Sequence, residues 1–112
     1  MSVTFTSKNK KASGSAPQAY IPSIIVPPNQ IEFEGWCWTY YEVEAPTTVH
    51  LTATAYPEGT SVSFGWSHAE VNAPGLDLAF SPGNPLCAFW VLATIGSTGP
   101  HIAPVTYSFE EQ

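Results

Sequence analysis

Eleven prolines and eight glycines interrupt this 112-residue chain every few positions, and the interruptions decide what it can fold into. Proline removes a backbone donor and clashes with the preceding helical turn, and no stretch of a dozen residues keeps an apolar 3.6-residue period. The runs between the breaks are short and rich in Val, Ile, Thr and aromatics: VTFTS (3–7), IIV (24–26), IEFEGWCWTYYEVE (31–44), TTVHLTATAY (47–56), SVSFGWSH (61–68), LDLAF (76–80), LCAFWVLATI (86–95) and HIAPVTYSF (101–109). Runs of this kind bounded by turn residues are strands. The expected fold is all-β, a two-layer antiparallel sandwich of seven or eight strands. The length suits one domain. The segment KNKKASGSAPQAYIP (8–22) is small, polar and proline-containing, so residues 1–22 read as a flexible N-terminal arm and 23–112 as the sandwich. In the link PEGT, Pro57 presets φ and Gly59 supplies a positive φ, which predicts a tight hairpin between 47–56 and 61–68.

Side chains alternate between the two faces of a strand. In 47–56 the inward set is Val49, Leu51, Ala53 and Ala55; in 61–68 it is Val62, Phe64, Trp66 and His68; in 76–80, Leu76, Leu78 and Phe80; in 101–109, Ala103, Val105, Tyr107 and Phe109. The run 31–44 sorts differently. Glu32, Glu34, Glu42 and Glu44 share a parity with Trp36, Trp38 and Tyr40. Burying that set would desolvate four carboxylates with almost nothing to pair them, so the glutamates and the three aromatics are expected to face outward together. The alternative is a bulge at Gly35 that turns the aromatics inward, followed by a second slip near Tyr40 and Tyr41. The run 86–95 has no polar side. One of its two sets is core; the other, with Trp90 and Leu92, is covered by the N-terminal arm, by another molecule, or forms an exposed apolar patch.

Only 11% of the chain is charged. Its three basic side chains, Lys8, Lys10 and Lys11, sit together near the start, and no Lys or Arg follows. A body carrying nine carboxylates and no cation repels phosphate, which argues against nucleic acid as a partner. No apolar run is long enough to span a membrane as a helix. The opening MSVTFTSKNKK lacks the apolar core of a secretory signal, and Met1 argues against one having been removed, so synthesis in a cytoplasm without a signal peptide is expected. His50, His68 and His101 have no metal-ligand spacing, and neither a nucleophile elbow nor a phosphate-binding glycine loop occurs. Glu32/Glu34 and Glu42/Glu44 lack the Asp and Asn of a calcium loop and read as solvated. No catalytic residue, metal or cofactor is expected, and the chain reads as a non-enzyme.

The stretch TTVHLTATAYPEGTSVSFGWSH resembles a hairpin of the immunoglobulin-like sandwich domains of bacterial surface proteins and phage virions, and LCAFWVLATIGSTGPHIAPVTYSF resembles their closing hairpin. The resemblance covers about half of the chain and implies an immunoglobulin-like sandwich, with an eight-stranded jelly roll as the structural alternative. Cys37 and Cys87 both fall on inward sets, as the family's cross-sheet disulfide would require, although Trp66 lies farther beyond Cys37 than the family places its core tryptophan. They are either that bridge or two small buried hydrophobes.

Three functions follow as expectations. The first is a structural or decoration protein of a larger assembly, most plausibly a virion surface, with other protein subunits, copies of itself included, as partners. Trp36, Trp38, Tyr40, Trp90 and Leu92 would form its contact surface, and the arm with Lys8, Lys10 and Lys11 would order on a neighbour. The second is a carbohydrate-binding module for a cell-surface glycan, with aromatics about 7 Å apart at alternate positions stacking on successive sugar rings. The third is a domain of a bacterial surface or pilus protein.

Overall fold

The computed structural model describes residues 3–8, 16–26, 29–66, 75–95 and 102–112. They form strands and turns with no helix among them. The strands are β1 (Val3–Thr6), β2 (Gln18–Tyr20), β3 (Ile24–Ile25), β4 (Glu32–Tyr40), β5 (Thr47–Ala55), β6 (Thr60–Gly65), β7 (Gly75–Phe80), β8 (Leu86–Ile95), β9 (Ile102–Ala103) and β10 (Thr106–Glu111). Two four-stranded sheets pack face to face, one in the order β1-β10-β5-β7 and the other β2-β4-β8-β6, while β3 and β9 make a small separate ladder. The chain is a two-layer β-sandwich.

The alternation read from sequence fills the space between the sheets. Val49, Leu51 and Ala53 of β5, Leu76, Leu78 and Phe80 of β7, and Tyr107 and Phe109 of β10 point in from one sheet; Cys37 and Thr39 of β4, Val62 and Phe64 of β6, and Cys87, Phe89, Val91, Ala93 and Ile95 of β8 point in from the other. Aromatic rings lock the layers. Phe64 meets Phe89 of its own sheet at 5.9 Å between ring centroids and Tyr107 of the facing sheet at 6.0 Å. Tyr41, just past β4, stands edge-on to Phe80 at 5.8 Å and to Phe5 at 5.3 Å. Such pairs contribute about 0.5–1.5 kcal/mol each beyond their buried area.

The pairing differs from the expectation. No two strands adjacent in sequence are hydrogen-bonded neighbours. The turn at PEGT forms, with Thr60 N–H donating to Pro57 O at 3.0 Å and Gly59 at a φ of 83°, but it is a corner between sheets and not a hairpin. The reason is that β5 is a central strand: β10 and β7 occupy both its edges, so β6 has none to join. The segment read as a closing hairpin is likewise split, β8 in one sheet and β10 in the other. One pair is parallel, β1 with β10, Val3 lying opposite Tyr107 and Thr6 opposite Glu110. Ladder register slips once, where Thr106 faces Ala55 and Tyr107 faces Ala53; beyond that slip Ala55 is exposed, not core as its parity implied. Trp66 is also corrected: β6 ends at Gly65, the alternation stops with it, and Trp66 is 41% exposed. His68 and His101 lie outside the described residues.

The described parts of 1–22 are built into the sheets rather than forming an arm. β1 is an edge strand of one sheet and β2 of the other, and Ile21 is buried. Glu111 fastens the first of these. Its side chain is 1% exposed, and its Oε2 accepts from Ser7 Oγ at 2.6 Å and from the Lys8 backbone N–H at 2.7 Å. Lys10 and Lys11 lie outside the described residues.

Replacing Phe64 by Ala removes the ring that touches both layers. Urea unfolding should show a loss of about 3–5 kcal/mol, the cost of a large-to-small change in a packed core.

Candidate functional site

The outward side of the β2-β4-β8-β6 sheet is the candidate site. The register between β4 and β8 runs unbroken from Glu32 opposite Thr94 to Tyr40 opposite Leu86. No bulge occurs at Gly35, and Phe33, the ring closest to it, fills the space on its inner side. Glu32, Glu34, Trp36 and Trp38 are therefore all exposed on one face, with Tyr40 half-buried at its end, while Cys37 and Thr39 between them are buried. Beyond the strand the same alternation continues, with Tyr41 and Val43 buried and Glu42 and Glu44 exposed.

Cross-strand neighbours turn this stripe into a patch. Trp36 is paired with Trp90 and Trp38 with Ala88 on β8, and Trp38 with Tyr20 on β2. Trp36 and Trp90 meet edge to face at 5.2 Å and 80°, and Tyr20 stacks on Trp38 at 6.2 Å and 17°. The exposures of Tyr20, Trp36 and Trp38 are 54%, 50% and 44%. Leu86 adds an exposed aliphatic end, and Leu92, half-buried, lies opposite Glu34. Trp36, Trp38, Tyr40, Trp90 and Leu92, singled out from sequence, thus share one face. Tyr20 was missed because its segment read as an arm. The clue lay in QAYI after Pro17, where the strand-forming Tyr20 and Ile21 close the run. The two-sided run 86–95 resolves as one core set and one set on this outward face.

The acidic groups frame the patch. Glu32 and Glu34 lie at one end of the β4 stripe, and at the other Glu42 accepts a hydrogen bond from the Tyr40 hydroxyl. That bond raises the Tyr40 phenol above its ordinary value.

The opposite outer surface, on β1-β10-β5-β7, has different chemistry. Thr6, Glu110, His50 and Asp77 line up across four strands, and Thr4, Ser108, Thr52 and Gly75 form the next row. His50 Nδ1 lies 2.6 Å from Asp77 Oδ1, and its ring lies over Gly75, so close that a Cβ added there would sit 2.6 Å from Nε2. Among the described residues no group of three or more His, Cys, Asp or Glu side chains is placed to hold a metal ion.

Cys37 and Cys87 are free thiols. They sit in neighbouring strands of one sheet, Cys37 opposite Phe89 and Cys87 opposite Thr39, so the cross-sheet bridge that the family resemblance implied is ruled out by topology. Burial pushes the Cys37 thiol up to about 12, and raises Cys87 as well. Tyr107 is raised chiefly by burial and secondarily by the neighbouring Cys37.

Comparison with protein-family models, curated proteins and solved structures returns no match.

The raised thiol and phenol set an alkaline limit. In the unfolded chain Cys37 loses its proton near its ordinary value of 9.0, whereas the folded chain holds it to about 12. The unfolded state therefore binds fewer protons in that interval, and stability falls as pH rises through it. Urea midpoints should change little between about pH 7 and pH 9 and decline above it, and Cys37→Ala should make the decline shallower. The native thiols should also resist a disulfide exchange reagent at neutral pH, since the thiolate is the reactive form.

Proposed function

We propose that the chain is a non-enzymatic structural protein whose aromatic face docks on other protein subunits of a larger assembly, a virion surface being the setting that suits it best. The observation that carries this reading is the cluster of Tyr20, Trp36 and Trp38, each roughly half exposed on the outer side of one sheet. Large aromatics each bury about 150–250 Å² at a contact, so three of them anchor an interface of ordinary size. Contiguous apolar surface of this kind on a small chain marks a binding site, or else promotes aggregation. Enrichment in Trp and Tyr with few charges between them is the composition of an interface centre.

Ring orientation favours protein over sugar. A glycan platform needs several ring faces lying in one continuous plane under successive sugars, but the stacked Tyr20 and Trp38 and the edge-to-face Trp36 and Trp90 leave only separate partial faces outward. What remains outward is an irregular relief of edges and partial faces suited to interdigitating side chains.

Strand order departs from an immunoglobulin-like type and comes nearer a jelly roll, although the first and last strands pair in parallel where a jelly roll is antiparallel. Each step in the series β4, β5, β6, β7, β8 passes from one four-stranded sheet to the other, and the first strand lies beside the last. An immunoglobulin-like domain keeps its last strand in the sheet opposite its first and joins several consecutive strands within one sheet. Jelly rolls recur in viral capsid and lectin domains, but architecture alone assigns no activity.

The test replaces Trp36 and Trp38 together by Ser. The unfolding free energy should fall by less than about 2 kcal/mol, since only cross-strand surface pairs are lost, while assembly measured by light scattering and electron microscopy should disappear. A loss on the scale of a buried aromatic, about 3–5 kcal/mol, or assembly that persists, defeats the reading. Glycan-array binding that vanishes in the same variant would assign the face to sugar instead.

A further inference from the structure

Charge identifies what sits on the aromatic face. Carboxylates stand at both ends of its β4 stripe, Glu32 and Glu34 before Trp36 and Glu42 beside Tyr40. The chain has no Lys or Arg after residue 11, and among the described residues no Lys or Arg stands on this face to neutralise them. Two copies pressed face to face would therefore set carboxylate rows against each other with no counter-charge, at a cost that grows as water leaves the contact. A face of this composition calls for a cationic occupant. An ammonium group suits both of its elements, pairing with a carboxylate and lying over an exposed indole ring, which is the best aromatic partner for a cation.

The chain carries such an occupant itself. Its whole positive charge lies in residues 8–11, as Lys8, Lys10 and Lys11. Lys8 is exposed and follows β1, an edge strand of the β1-β10-β5-β7 sheet, where its backbone N–H is held by Glu111. The aromatic face is the outer side of the other sheet, so the anchored lysine and the face belong to opposite layers of the sandwich.

Resting on the contact-face reading, we propose that the occupant is the lysine segment, residues 8–11, of a second copy of this chain. Its ammonium groups lie over Trp36 and Trp38 and against Glu32 and Glu34. The contact is head-to-tail: one copy offers its face and the next its lysines. A head-to-tail pair keeps one free face on one copy and one free lysine segment on the other, so the association extends into rings or filaments rather than stopping at a symmetric dimer. Added salt weakens it, because the pairs are rim-exposed and screened.

Complementary variants test this. One carries Lys8→Gln, Lys10→Gln and Lys11→Gln and keeps its face; the other carries Trp36→Ser and Trp38→Ser and keeps its lysines. Sedimentation equilibrium of the wild-type chain should show a mass that rises with concentration and falls between about 50 mM and about 500 mM salt. Each variant alone should remain monomeric. Their equimolar mixture should form heterodimers and nothing larger, since only one face and one lysine segment are competent in the pair. Should the lysine variant assemble like wild type while the tryptophan variant does not, the contact-face reading stands and the lysine segment is not its occupant. Assembly by the tryptophan variant overturns both. A wild-type chain that stays monomeric at every concentration overturns the second-copy partner, and a lysine variant that self-associates where wild type does not shows the segment covering its own face. Glu32→Gln with Glu34→Gln perturbs no packed ring and should weaken assembly at least about tenfold; unchanged assembly in that variant also overturns the proposal.

Discussion

A carboxylate taken out of water without a cation to meet it is costly, and that cost organises this sandwich. The chain has nine acidic side chains and three basic ones, all three before residue 12. β4 and its extension carry four glutamates of one parity, so that parity faces solvent, and Trp36 and Trp38 go with it. β8 takes its register from β4 and β6 takes its own from β8, so the choice made by four glutamates fixes which side of three strands is core. Glu111 shows the other way of meeting the same constraint. It is buried, and its charge is met by the Ser7 hydroxyl and the Lys8 backbone N–H.

Strands and their faces were legible in the sequence because both are local: burial follows a two-residue period, and Val49, Leu51, Phe64, Leu78, Phe89 and Phe109 are buried as that period required. Pairing was not legible. A proline–glycine turn such as PEGT reverses the chain but carries no information about which edge is vacant, and β5 had none left. Trp66 failed for a related reason, since parity means nothing once the ladder ends. Tyr20 failed because three residues are too short a run to be recognised, although one neighbouring strand suffices to place its ring on Trp38. Cys37 and Cys87 were correctly placed as inward-facing, but facing inward leaves open which sheet a residue belongs to.

The two outer surfaces have opposite characters. On one, Thr4, Thr6, Thr48, Thr52, Thr54 and Ser108 present hydroxyls to water; on the other, Tyr20, Trp36, Trp38 and Leu86 present carbon. Apolar exposure on one side only makes the two faces of the molecule unequal. The same topology makes folding depend on distant contacts: β4 must find β8, and β10 must find β5 and β1, before the sheets are complete. Folds dominated by such pairings form slowly for their size, which prolongs the interval in which the indole-rich strand is unprotected.

The parallel pairing of β1 with β10 has a mechanical meaning. Because the strands run the same way, the chain enters this ladder beside Tyr107 and leaves it beyond Glu111, at the other end. Tension applied through the flanking residues pulls the two strands along each other, so the hydrogen bonds between them are loaded together in shear instead of opening one after another from an end. Pulled from those two ends, the molecule resists through the whole ladder at once.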